Sequence, residues 1–161
     1  MQFTEAQEKI KTIENDAERE VAELLLNMGF TFIDSNSKIR NSSDQLVGEI
    51  DILFSFEDYL IIVEVSKNNN AGSAKKITFF TKWSDRSNQT LLRNHHNLRP
   101  RKILKVYFDL ATSTPENPSA ESTRLTVDGT GNKIAYIDDY EYFLDNLKKI
   151  GPWSKNDFLD W

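Results

Sequence analysis

Apolar residues recur at helical spacing along residues 4–28: Ile10, Ile13, Ala17, Val21, Leu24, Leu25 and Met28. That stripe predicts one amphipathic helix, with Gly29 as its stop at C′. The period then changes. Phe30–Asp34 and the region of Ile39 predict a first strand region, interrupted by turn chemistry at Ser35-Asn36-Ser37 and followed by more at Asn41-Ser42-Ser43-Asp44. Gly48–Phe56 and Tyr59–Ser66 read as two strands of a hairpin around the tight turn Glu57-Asp58. Within the second of these, Leu60-Ile61-Ile62-Val63 shows no polar alternation, which predicts a strand covered on both faces.

Asn68-Asn69-Asn70-Ala71-Gly72 breaks the pattern, and Ser73 is placed to cap a helix over about 74–84 that resumes near 86–96. Ile103–Leu110 predicts a fourth strand, and the Ser-, Thr-, Pro- and Asn-rich residues 111–122 a loop. Two short strands, 123–127 and 133–137, are expected around Asp128-Gly129-Thr130-Gly131, then a helix over 139–149 and a last helical turn capped by Ser154. No internal repeat or low-complexity tract is present. Helix, three strands, helix, strand is the order of an α/β fold with a small mixed β-sheet flanked by helices.

The 161 residues suit a single domain. Its core is expected over about 4–110, with a C-terminal strand and helix extension over about 123–161. The chain stops on the apolar Trp161 without a polar tail, the pattern of a domain cut from a longer protein. Composition is that of a soluble globular protein, 39% hydrophobic and 28% charged, and no apolar run approaches the length of a membrane span. With no cysteine there is no disulfide, thiolate metal site or Cys nucleophile, in keeping with the cytoplasm.

Charge is unevenly spread. Between Lys75 and Lys105 nine Lys and Arg stand against one acid, Asp85, a net +8 that leaves −13 on the rest of a chain whose total is −5. Such a sector suits a polyanion, with Lys75, Lys82, Arg86, Arg93, Arg99, Arg101 and Lys102 as candidate nucleic-acid contacts. Arg99-Pro100-Arg101-Lys102, preceded by His95-His96, reads as a loop rim able to hold phosphates. Adjacent histidines on a helix diverge by about 100°, so phosphate or solvent contact is expected of them rather than a shared ion. Phe79, Phe80, Trp83, Tyr107 and Phe108 are expected in the core, and Asp138-Asp139 with Glu141 as first-turn electrostatics of the 139–149 helix.

The densest chemistry lies in residues 48–67. Asp51 and Glu64 flank the apolar strand, and a carboxylate at such an edge is costly to desolvate unless something positive compensates it. If the hairpin register sets Asp51 opposite Glu64, the two can share one Mg²⁺ or Mn²⁺, with the Val65 carbonyl as a third ligand.

Three elements together resemble the PD-(D/E)XK nuclease superfamily, most closely its Holliday-junction-resolvase-like branch. Ala17-Glu18-Arg19 puts Glu18 on a helix eleven residues before Gly29-Phe30; Gly48-Glu49-Ile50-Asp51 looks like the strand with the first metal-binding Asp; and Val63-Glu64-Val65, thirteen residues from Asp51 to Glu64, looks like the start of the E-x-K strand. The resemblance spans about residues 10–110 and implies a restriction-endonuclease-like core of order αβββαβ. It also implies a Mg²⁺- or Mn²⁺-dependent DNA endonuclease of repair, restriction or phage defence, in which Asp51 and Glu64 ligate the metal and Glu18 assists. Since cutting two strands takes two sites, it admits a homodimer.

One position departs from the motif. The lysine expected two residues after the Glu is Ser66. Lys67 reaches the site only if the strand ends or bulges there, because alternation sends it to the other face. Lys76, between Ile77, Phe80 and Trp83 on the apolar side of its helix, is the other candidate, while Lys75 and Lys82 fall on the wetter side. With no lysine in place, the alternative is a degenerate nuclease-like fold that binds nucleic acid or serves in assembly.

Overall fold

The computed structural model describes residues 1–67, 72–99, 102–110, 123–127, 129, 131–137 and 153–161. The expected 139–149 helix with its acidic cluster, the 111–122 loop, Asn68–Asn70, Pro100 and Arg101 lie outside them.

The first helical stripe is divided in two, α1 (Phe3–Lys11) and α2 (Asp16–Asn27). Local hydrogen bonds decide the break. The Thr12 hydroxyl donates to the Lys9 carbonyl, and the Asn15 side chain accepts from the Glu18 N–H as a new N-cap. The spacing Asn15-x-x-Glu18 is a capping pattern that the apolar periodicity had masked. Gly29 does end α2, at φ +99°. The Gly29 N–H donates to the Leu26 carbonyl and the Phe30 N–H to the Leu25 carbonyl, a Schellman closure.

Six strands follow: β1 (Thr31–Arg40), β2 (Leu46–Phe56), β3 (Tyr59–Ser66), β4 (Lys102–Leu110), β5 (Thr123–Val127) and β6 (Lys133–Ile137). They form one mixed sheet in the order β1-β2-β3-β4-β6-β5. β1, β2 and β3 are an antiparallel meander; β4 runs parallel to β3, β6 parallel to β4, and β5 antiparallel to β6. Ser35-Asn36-Ser37 is not a turn. The strand passes through it, with Asn36 taking φ +50°.

Between β3 and β4 lie α3 (Gly72–Ser84) and α4 (Arg86–His95), the latter capped by Asp85. α3 begins at Gly72, so Ser73 lies inside it rather than at its cap. The short α5 (Lys155–Leu159) carries the expected Ser154 cap, closed reciprocally by Asp157.

The sheet divides two cores. One face packs Ile52, Phe54, Ile61, Val63 and Phe108 against α1, α2, Trp153 and Phe158. The other packs Leu53, Leu60, Ile62 and Tyr107 against Phe79, Phe80 and Trp83 of α3 and Leu92 of α4. Leu60 through Val63 are wholly buried, as their unbroken apolar run requires. The fold is α/β: N-terminal helices, then a six-stranded mixed sheet with helices. Among the described residues no helix is long and apolar enough to cross a membrane.

Candidate metal centre

The hairpin register pairs Phe56 with Tyr59 and runs to Ile52 opposite Val63, where the β2–β3 ladder ends. Continued by one residue it sets Asp51 against Glu64. Beyond that point the Asp51 side chain takes over from the ladder: its Oδ2 accepts the Val65 N–H at 3.0 Å. A buried backbone donor stays satisfied while the strands part.

The fourth participant arrives from α3. Lys75 Nζ donates to the Val65 carbonyl at 3.0 Å and lies 3.3 Å from Glu64 Oε1. Lys76 Nζ instead pairs with Asp109 Oδ2 at 2.5 Å. The helical wheel gives the reason. The buried face of α3 is Phe79, Phe80 and Trp83, whereas Ile77, expected on it, is 66% exposed. Taking about 100° per residue, Lys76 points down the middle of that face, onto the β4 side of the sheet. Lys75 and Lys82 sit on its flank and reach round it, so they share a cleft of about 390 Å³ with Glu49, Glu64 and Thr78. Lys67 is exposed just past the end of β3, and Ser66 is buried in register with Asp109.

Glu18 comes from the first turn of α2. Its Oε2 is buried and has no hydrogen-bond partner. The Asn36 side chain is a polar neighbour that draws the Glu18 carboxyl toward its charged form, and the β1–β2 register places Asn36 opposite Asp51. Asn36 is thus a site residue that sequence reasoning took for turn chemistry. Its only advance signal was that Asn tolerates a left-handed backbone.

Burial and mutual repulsion dominate the electrostatics. Glu18 is pushed up to about 7, first by desolvation and then by the charge of Asp51. Glu64 is pushed up to about 8 by the same two causes, and Lys75 opposes them without offsetting them. Asp51 is raised by burial, against the pull of the Val65 N–H and of a hydrogen bond with Glu64. Two adjoining buried carboxyls that hydrogen-bond one another retain a proton near neutrality.

Among the described residues no three His, Cys, Asp or Glu side chains form a ready-made metal cage. The donors that converge are the Asp51 and Glu64 carboxylates and the Val65 carbonyl, with the orphaned Glu18 oxygen near them. An all-oxygen set of one or two carboxylates fits Mg²⁺, which keeps most of its water, and fits Mn²⁺ equally.

The remaining candidates are dispersed. Lys102 begins β4 in register with Tyr59, about 16 Å along β3 from Glu64, and Arg99 lies in the segment leading to it. Lys102 is therefore at the far end of the strand from the carboxylates. Arg86 and Arg93 are on α4. His96 is not on a phosphate rim: its Nε2 lies 2.8 Å from Ser37 Oγ and 3.7 Å from Asp34 Oδ2. Both contacts use the same ring nitrogen, so the three do not form a relay of the Ser–His–Asp kind. Compared with protein-family models and with curated proteins, the chain matches none.

Proposed function

We propose that this chain is a divalent-metal-dependent DNA endonuclease domain. One observation carries the reading: Asp51, Glu64 and the Val65 carbonyl converge where β2 and β3 part, with an ammonium, Lys75, already on two of them. The order helices, three antiparallel strands, helices, parallel strand loosely resembles the restriction-endonuclease-like core and supports it.

Asp51, Glu64 and the Val65 carbonyl would hold Mg²⁺ or Mn²⁺. A cation bound there supplies neutralisation of phosphate charge, a more acidic water and stabilisation of the leaving oxygen. The chain's own groups do the rest. Glu18 Oε2, unpartnered on a carboxyl that titrates near neutrality, is suited to take a proton from the attacking water. The Lys75 ammonium is suited to hold the negative charge that develops on the phosphoryl oxygens. It takes the role that Ser66 leaves open.

Supercoiled plasmid in Mg²⁺ and in Mn²⁺ tests this. The parent is expected to nick it, Asp51→Ala and Glu64→Ala to abolish nicking with an unchanged far-UV spectrum, and Lys75→Ala to slow it by about 10²–10³-fold. Wild-type nicking by either carboxylate variant overturns the site.

A second reading rests on the same ammonium. Lys75 on Glu64 and Val65 supplies positive charge to the centre without metal, as a non-cleaving nucleic-acid-binding module needs. Salt-dependent DNA binding with no nicking in either metal, and no calorimetric Mn²⁺ binding, favours it over the first.

A further inference from the structure

Lys82 lies two turns beyond Lys75 on the same flank of α3, about 10.5 Å along the helix, and lines the same cleft. Its side chain does not extend into solvent. It is laid across β2 at Gly48, where a Cβ would stand 2.6 Å from Lys82 Cδ and 3.2 Å from Lys82 Nζ, with Trp83 Cζ2 at 3.1 Å. Gly48 is buried at a negative φ, so backbone conformation does not require glycine there; its bare Cα leaves room for the lysine, which a Cβ would push aside. Among the described residues no carboxylate lies within ion-pair distance of Lys82, whereas Lys75 and Lys76 each have one.

We infer that Gly48 and Lys82 form a second phosphate subsite, which takes a backbone phosphate of DNA other than the one at Glu64 and Lys75. A half-buried cation without an acid partner, held in a cleft by a glycine that admits it, is a built anion position rather than a solvated surface charge. Its distance from Lys75 exceeds the ~3.4 Å axial rise of one nucleotide, so the two ammonium groups address different phosphates and align the strand along α3. The basic wall of the cleft is then the substrate track, and Glu49 and Glu64 form the opposing wall.

This inference rests on the nucleic-acid reading of the cleft but not on cleavage. Its test is therefore binding: fluorescence anisotropy of a labelled duplex oligonucleotide, titrated from low to moderate salt without divalent metal. Lys82→Met is expected to weaken binding and to reduce the slope of log K against log[salt] by about 0.9, one phosphate contact. Gly48→Ala removes no charge and is expected to weaken binding several-fold by lifting Lys82 off β2. An unchanged slope in Lys82→Met overturns the subsite, as does parental affinity in a folded Gly48→Ala protein or failure of the parent to bind DNA. The nuclease reading stands or falls separately, on nicking by the parent and by Asp51→Ala.

Discussion

Asn36 shows how much one residue carries. Its φ of +50° turns the strand so that its amide meets Glu18 beside Asp51. Asn36→Gly keeps the backbone accessible and removes only the amide, so it isolates the positioning of Glu18. Nicking is expected to fall by about 10–100-fold, the usual effect of losing an orienting partner, with little change in melting temperature. Parental activity in this variant would remove Asn36 from the site. Titration belongs to this scale too. Glu18 and Glu64 have folded pKa values of about 7 and 8, above the ordinary carboxylate value, so the folded protein binds protons that the unfolded chain releases. Their contribution to stability is complete below about pH 4.5 and is lost as pH rises through 7 and 8. Without divalent metal, the melting temperature is expected to fall as pH rises from about 4.5 to 8, and Glu64→Gln should flatten that decline. His96, held below its ordinary value by burial, contributes with the opposite sign, within the acidic part of that window below about pH 6.5.

At the scale of elements, α2 and α3 deliver side chains to the parting of β2 and β3. α2 is bounded by Asn15 and Gly29. Gly29→Ala forces a left-handed alanine and is expected to cost about 1–2 kcal/mol in urea unfolding. α3 is tied to the sheet by the pair of Lys76 with Asp109, whose side chains are 19% and 9% exposed. Lys76→Met leaves the Asp109 charge buried and alone, an expected loss of about 3 kcal/mol, much of which Lys76→Met with Asp109→Leu should restore. If the single variant is as stable as the parent, the pair does not anchor α3.

On the scale of the whole molecule, the sheet separates two cores, and the site opens at the rim between them. Asp51, Glu64 and Lys75 belong to three elements and are brought together only because α3 lies across the β2–β3 hairpin and α2 beneath it. The basic sector is divided by the same geometry. Lys75 and Lys82 face the cleft, while Lys102 stands at the other end of β3, so the net +8 of residues 75–105 is not one continuous patch.

The sequence alone determined the β2–β3 hairpin, the double burial of Leu60–Val63 and the opposition of Asp51 and Glu64. A two-residue turn at Glu57-Asp58 fixes hairpin register, and register fixes which residues oppose each other. It also held the break between α1 and α2, in the Asn15 cap, but the longer apolar period hid it. Which lysine serves the carboxylates was decided by tertiary structure. Lys75 and Lys76 differ by about 100° around one helix, and only the docking of Phe79, Phe80 and Trp83 sets where that helix points. A long side chain goes where the nearest buried carboxylate or carbonyl needs it, and that neighbour comes from another part of the chain. Glu18 beside Asn36 and Lys82 over Gly48 were hidden for the same reason: each contact joins two elements through packing, which local periodicity does not encode.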